Sequence, residues 1–309
     1  MGMRPRRRAA RDSMMLSYQN GSEAGLPGES RMRFAVVTPD PADWVHVRAF
    51  DEVAEVIHAG LQELDVSCVR SVGRLLDGHT NIVFGAHLLP PSTVLPPDTI
   101  LYNLEQIVPG AIWVTPVYLE ALRRHRVWDY STGNCAALRG LGVRDPQHVP
   151  LGHATVLERI APGDEDLDVL FYGVHNERRL APLRRLAERG RKVLHTRGVY
   201  GKERDGLIAR SRIVINIHFY EQSRLEVARC FYLLANGRCI VSEASTDADE
   251  TGLAQGIAFA SYEHIEDTCS WYLDHPAERA AIADAGRRIL RKRSQAALLA
   301  PAITALAER

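Results

Sequence analysis

Apolar residues recur along the chain in two alternating rhythms. Short unbroken runs have the length and composition of strands buried on both faces: RFAVVT at 33–38, NIVF at 81–84, ILYNL at 100–104, DVLFY at 168–172, IVINIHF at 213–219 and CIVSE at 239–243. Between them the spacing changes to three and four. In 51–64, Val53, Val56, Ile57, Gly60, Leu61 and Leu64 fall on one stripe and predict an amphipathic helix. Similar spacing predicts helices over 113–125, 134–141, 180–189, 205–211, 224–236 and 276–290. Strand followed by helix, many times over, is the pattern of parallel α/β architecture.

The rhythm fails in two places. LERIAPGDEDLD (157–168) joins Pro162 and Gly163 to a cluster of acids and reads as a solvated linker. Asp164, Glu165, Asp166 and Asp168 are read there as hydrated charges rather than metal ligands. Residues 1–31 are arginine-rich, have no stripe and no apolar core behind the charges, and read as a flexible tail, not a secretory signal. An upstream start codon, with Met14 or Met32 the true start, would look the same. The expected organisation is a tail (1–31), a first domain (32–155), a linker (156–167), a second domain (168–293) and a last helix (294–309) packing back on the first.

Composition narrows the class. With 38 basic and 38 acidic side chains among 309 residues, no global field draws the chain to nucleic acid or an anionic surface. No apolar run approaches the roughly 18 residues that span a bilayer. The five cysteines (Cys68, Cys135, Cys230, Cys239, Cys269) are odd in number, widely spaced and without CxxC pairs. They read as reduced structural residues of a cytoplasmic protein.

Candidate chemistry concentrates in the second half. Gly173 ends a strand and precedes a helix, where free N–H groups and the positive dipole end favour an anion. Asn176, Arg178 and Arg179 follow it, able to fold over a diphosphate, with Asn176 as a plain N-cap the alternative. Tyr200 and Gly201 stand in a strand-end loop suited to a nucleobase, with a turn that only caps the following helix the alternative. His218 ends the next strand. Glu226, in the first turn of the helix over 224–236, can accept from two ribose hydroxyls, and Arg229 can pair with it or with phosphate. In the first half, Gly85, His87, Glu105 and Gln106 lie at successive strand ends, and His153 follows the expected closing strand at 148–153. His87 or His153 could act as general base on an acceptor hydroxyl. Trp113, Trp128 and Tyr130 read as core rather than sugar platforms. Asp247 and Asp249 form a DxD in a polar loop without the strand context that a metal-bound sugar nucleotide needs.

The succession of the turn around Gly173, YG.ERD.LIA.S.IVIN.H at 200–218, a helix with an early glutamate, and LLANGRCIVSE at 233–243 resembles the C-terminal domain of GT-B glycosyltransferases. The likeness is to small bacterial members with a spore-protein-like domain, and it covers 168–293 well and 32–155 only in pattern. It implies two Rossmann-like domains facing across a cleft, a nucleoside-diphosphate sugar as donor substrate on the second, no cofactor and no obligatory metal. One position departs: the family's ribose glutamate, five residues before the helix-ending glycine, corresponds to Tyr232. The leading expectation is therefore a glycosyltransferase with an unknown acceptor, partnered by neither nucleic acid nor a spanned membrane. The alternatives are a non-catalytic nucleotide-sugar or phosphate-ligand binding protein, and a sugar-nucleotide epimerase on the same scaffold.

Overall fold

Two parallel sheets divide the chain in sequence order. The computed structural model describes residues 32–40, 45–90, 92–221, 223–245, 247 and 252–308. The expected tail, and Asp249 of the DxD, lie outside the described residues. Residues 32–309 form one unit.

The first sheet holds β1 (Arg33–Thr38), β2 (Ser67–Val72), β3 (Thr80–Phe84), β4 (Ile100–Asn103), β5 (Arg126–Asp129) and β6 (Gln147–His148) in the order β2-β1-β3-β4-β5-β6. The second holds β7 (Leu167–Tyr172), β8 (Val193–Thr196), β9 (Ser211–Asn216), β10 (Ile240–Glu243) and β11 (Ala258–Ala260) in the order β11-β10-β9-β7-β8. Every pairing is parallel. Central strands β1, β3, β4, β7 and β9 are almost wholly buried, as their unbroken apolar runs require. In both sheets the strand order reverses around the first strand, between β1 and β3 and between β7 and β9. Ligand crevices form at the carboxyl ends of strands at such a switch point. Gly173 and Asn216–His218 therefore share one crevice edge, and Gly85 and His87 occupy the other.

Helices α1 (Asp51–Glu63), α2 (Pro116–Arg124), α3 (Thr132–Gly140), α4 (Glu177–Glu188), α5 (Gly201–Ala209), α6 (Val227–Ala235), α7 (Ile265–Asp274), α8 (Pro276–Arg291) and α9 (Gln295–Ala307) cover the sheets. Three of the boundaries that differ from the periodic reading bear on the site and its surroundings. The helix expected from 113 starts at Pro116, because Thr115 caps Tyr118 N–H and proline suits the first turn. The helix expected from 205 starts at Gly201, so Gly201 opens α5 instead of lying in a loop. The helix expected from 224 starts at Val227, which makes Glu226 its N-cap residue and not part of its first turn.

The expected closing strand at 148–153 is also shorter. It leaves the sheet after His148, since Pro150 has no N–H to offer a ladder, and His153 pairs instead with Ser294. There the Gln295 side chain accepts from Gly152 N–H at 2.7 Å and donates to Pro150 O at 3.2 Å. α9 thereby lies on α1, where a Cβ on Gly60 would come within 2.8 Å of Leu299 Cδ1. The linker is pinned at its start: Leu157 is fully buried, and Glu158 pairs with His153, Arg287 and Arg291. Its acids are paired too, Asp166 with Arg210 and Asp168 with Arg212.

Candidate functional site

Two arginines, Arg229 and Arg179, meet beneath the turn at Gly173, and a third, Arg178, binds the next carbonyl along the segment that Arg179 holds. Gly173 has φ +143°, and a Cβ there would stand 2.8 Å from Arg229 Nη2, so glycine is what lets the guanidinium lie under the backbone. Arg229 projects from α6, donates to Asn216 Oδ1 at 2.6 Å and reaches Glu226 at 2.9 Å. Arg179, from α4, is 4% exposed and donates to Ile217 O (2.9 Å), Val174 O (3.0 Å) and Glu226. Arg178 holds Glu243 by both terminal nitrogens, donates to His218 O at 3.0 Å and lies over the Tyr262 ring at 4.3 Å. Three cations thus face two carboxylates. The Glu226 carboxyl, although burial opposes its charge, is held below its usual range by Arg179 and Arg229.

His218 lies among these groups, 1% exposed, with its backbone N–H on Glu243 at 3.0 Å. Its Nε2 has no hydrogen-bond partner among the described residues. Burial lowers its pKa, leaving a neutral imidazole in a strongly charged cluster. Asn176 takes the plainer of its two expected roles. Its Oδ1 caps α4 through Arg179 N–H (2.9 Å) and its Nδ2 donates to Phe219 O (2.9 Å). Asp247, half of the DxD, accepts from Leu225 N–H at 3.0 Å and so fixes the segment before Glu226.

The other half closes on this edge. Tyr200 OH meets His46 Nδ1 at 2.8 Å, and a Cβ on Gly201 (φ +55°) would stand 2.7 Å from Arg48 Nη2. Gln106 and Arg224 clasp each other: Gln106 Nε2 donates to Arg224 O (3.0 Å) and Arg224 N–H to Gln106 Oε1 (2.9 Å). Arg224 then reaches Asn134 at 3.1 Å and lies against Gly133 at the start of α3. Two rows of strand ends thus face each other across a cleft bridged at several points.

Residues 155–299 match the model of a family described as glycosyl transferase-like. Solved structures with the same two-domain arrangement include HepE of Anabaena in complex with UDP and glucose, with TM-score 0.60 and 9% identity over 90% of this chain and 100% of that one. Sucrose-phosphate synthase of Thermosynechococcus elongatus gives 0.54 and 12% over 90% and 98%. AviGT4, a glycosyltransferase involved in avilamycin A biosynthesis, gives 0.51 and 13% over 88% and 96%. The chain has the GT-B fold, and its residues 155–299 are glycosyl transferase-like. No curated protein matches it in sequence.

On the N-terminal side of the cleft, His87 and Glu105 stand together, Nε2 to Oε1 3.4 Å, at the ends of β3 and β4. His87 is packed by Phe50, Trp113 and Tyr118, and its Nδ1 is buried without a partner among the described residues. Burial pushes its pKa down to about 4 and that of Glu105 up to about 7, so both shifts favour the uncharged pair. Glu105 is the more open of the two, 21% exposed against 4%. It neighbours Gln106, which touches the other half. Sequence reasoning placed Glu105 in the crevice without giving it this partner.

His153 is elsewhere. It belongs to the junction with α9, its ring on Glu158 at 2.7 Å and its backbone on Arg293 and Gln295. The structure does not bring it to His87 or to the Gly173 turn. Trp128 and Tyr130 are buried as expected of core residues, whereas Trp113 is 41% exposed and lies tilted against His87.

Tyr232, at the position of the family's ribose glutamate, is 2% exposed and accepts from Arg159 Nε at 3.0 Å. Its ring lies against Arg204, 4.5 Å from centroid to guanidinium carbon. Arg204 and Arg159 in turn hold Glu52 of α1. The departure from the family pattern serves a joint between the halves.

Proposed function

We propose that the chain is a glycosyltransferase that moves a sugar from a nucleoside-diphosphate sugar to a hydroxyl-bearing acceptor, with protein cations instead of a metal facing the diphosphate. The convergence of Arg179 and Arg229 on the Gly173 turn, with Arg178 beside them at His218 O, carries this reading, because guanidinium forks and helix-end amides match phosphate oxygens and neutralise the charge that grows on a departing diphosphate. Glu226, at the N-cap of α6, holds two of the three arginines. Tyr200 and Gly201, one loop away, are the candidates for the base. The bound UDP and glucose of HepE, which shares the fold, agree with a donor of this class.

On the acceptor side, Glu105 is the group proposed to meet the hydroxyl, with His87 behind it. As the acceptor oxygen bonds to the anomeric carbon and the bond to the diphosphate breaks, the hydroxyl proton passes to the Glu105 carboxylate. His87, neutral and close by, lets the pair share that proton. General bases work best when their pKa lies near the working pH, and Glu105 meets this condition.

Incubation with a panel of nucleotide sugars, with and without a chelator, tests the proposal. Release of nucleoside diphosphate that needs the protein, persists in chelator and collapses in Glu105→Gln is the expected result. A second reading, binding without turnover, draws on the fact that each of the three arginines already has a carboxylate partner. Tight binding of a nucleotide sugar with no release of diphosphate would select it.

A further inference from the structure

A second concave site lies on the far edge of the N-terminal sheet, away from the cleft. β5 runs from Arg126 to Asp129, so its carboxyl end faces the cleft and Arg126 marks the opposite end. There Arg123, Arg124, His125, Arg126 and Arg144 line a cavity of about 210 Å³ together with a single acid, Asp145. The side chain of Leu306, from α9, forms part of its apolar wall.

Several features set this cavity apart from an ordinary charged surface. The chain has equal numbers of acidic and basic residues, so four guanidinia against one lining carboxylate, with Glu120 pairing Arg123 and Arg124 from outside the lining, is a local excess of positive charge. The carboxyl end of α2 favours cations and accounts for Arg123 and Arg124. It does not account for Arg126 and Arg144, which come from other elements. Arg123 is held in place by two bonds to Leu141 O, at 2.9 and 2.8 Å, and Arg124 by Glu120 at 2.8 Å. Asp145 adopts φ +48°, a left-handed turn that folds the rim segment back. His125 Nδ1 is shut away from solvent with no hydrogen-bond partner among the described residues. Like charges gathered against an apolar wall raise the local potential, and a bound anion relieves it.

We propose that this cavity binds a phosphate-bearing anion, either a free phosphate compound or the headgroup of a lipid. Guanidinium forks select phosphate geometry, and the volume falls below the roughly 300–1,000 Å³ of pockets that enclose drug-sized ligands. The site therefore suits one or two phosphate groups more than a whole nucleotide.

The test titrates inorganic pyrophosphate into the full chain while the His125 imidazole resonances are followed by NMR, which separates this cavity from the cleft. A saturable shift is expected, with affinity lowered about tenfold or more in the Arg126→Ser/Arg144→Ser double variant, because two charge-assisted contacts are lost. Both positions are exposed, and an unchanged melting temperature verifies the fold of the variant. In parallel, the chain is floated with phosphatidylcholine vesicles with and without phosphatidylglycerol. Flotation that needs the anionic lipid and both arginines identifies a headgroup, and a pyrophosphate shift without flotation identifies a free phosphate. No shift at His125 and no flotation would overturn the proposal, as would responses identical in the double variant.

Discussion

Glu52 of the N-terminal half and Arg204 of the C-terminal half meet fork to fork, at 2.7 and 3.0 Å, each only 6% exposed. Arg159 reaches the same carboxylate at 2.8 Å, and Asp205 takes Arg204 at 2.8 Å. The pair lies beside Tyr232, whose ring supports the guanidinium. A buried ion pair adds little net stability over an apolar one, but removing one partner strands the other charge.

Glu52→Ala is therefore expected to cost about 1.5–3 kcal/mol of unfolding free energy, since Arg204 loses its fork-to-fork partner but keeps Asp205, and Arg159 keeps Glu55. Urea denaturation of Glu52→Ala, Arg204→Met and the double variant measures the coupling. The double variant should lose clearly less than the sum of the two single losses. Simple additivity would show that the contact carries no linked energy.

Gly173→Ala tests the turn. The added Cβ would stand 2.8 Å from Arg229 Nη2 at a φ that L-residues rarely adopt. Strain of this kind costs about 1–3 kcal/mol. Weaker binding of nucleoside diphosphates should accompany the lower melting temperature. A variant that melts early yet binds normally would separate the turn from the ligand.

The pair of His87 and Glu105 predicts opposing pH dependences. The Glu105 pKa rises from 4.5 to about 7 on folding, so its contribution to stability is complete below 4.5 and is lost as pH rises through 7. The His87 pKa falls from 6.5 to about 4, so its contribution is complete above 6.5 and is lost as pH falls through 4. Between these limits the two slopes offset each other. Relative to the parent, Glu105→Gln should gain stability as pH rises from 5 to 7, and His87→Gln should lose it over the same range, by about 3 kcal/mol at most. Chemical denaturation at several pH values checks both signs, and parallel curves for parent and variants would contradict them.

Much of this architecture could be read from apolar periodicity. Most strands of both sheets, most of the helices between them and the position of the Gly173 turn follow from unbroken runs and three-to-four spacing, which are local properties, whereas β11 and α7 are not among the expected elements. What escaped were relationships through space. Glu52 and Arg204 look like solvated residues of amphipathic helices until the halves meet, and nothing near Arg224 in sequence announces Gln106. The apolar run before His153 has the pattern of a strand that would end at the cleft, whereas Pro150 ends the ladder and sends the chain to α9. Tyr232 read as a missing ribose ligand because a family pattern records residue type and not direction. Asn176 fell between two readings that only its hydrogen bonds separate.

The central claim, that the arginines at the Gly173 turn hold a diphosphate, is tested most directly by calorimetric titration of nucleoside diphosphates into the parent chain and Arg229→Met. Charge-assisted hydrogen bonds contribute about 1.5–3 kcal/mol each, so the account predicts that the parent binds at least one of them and the variant binds it about tenfold or more weakly. A parent that binds none, or a variant that binds equally well, would contradict it.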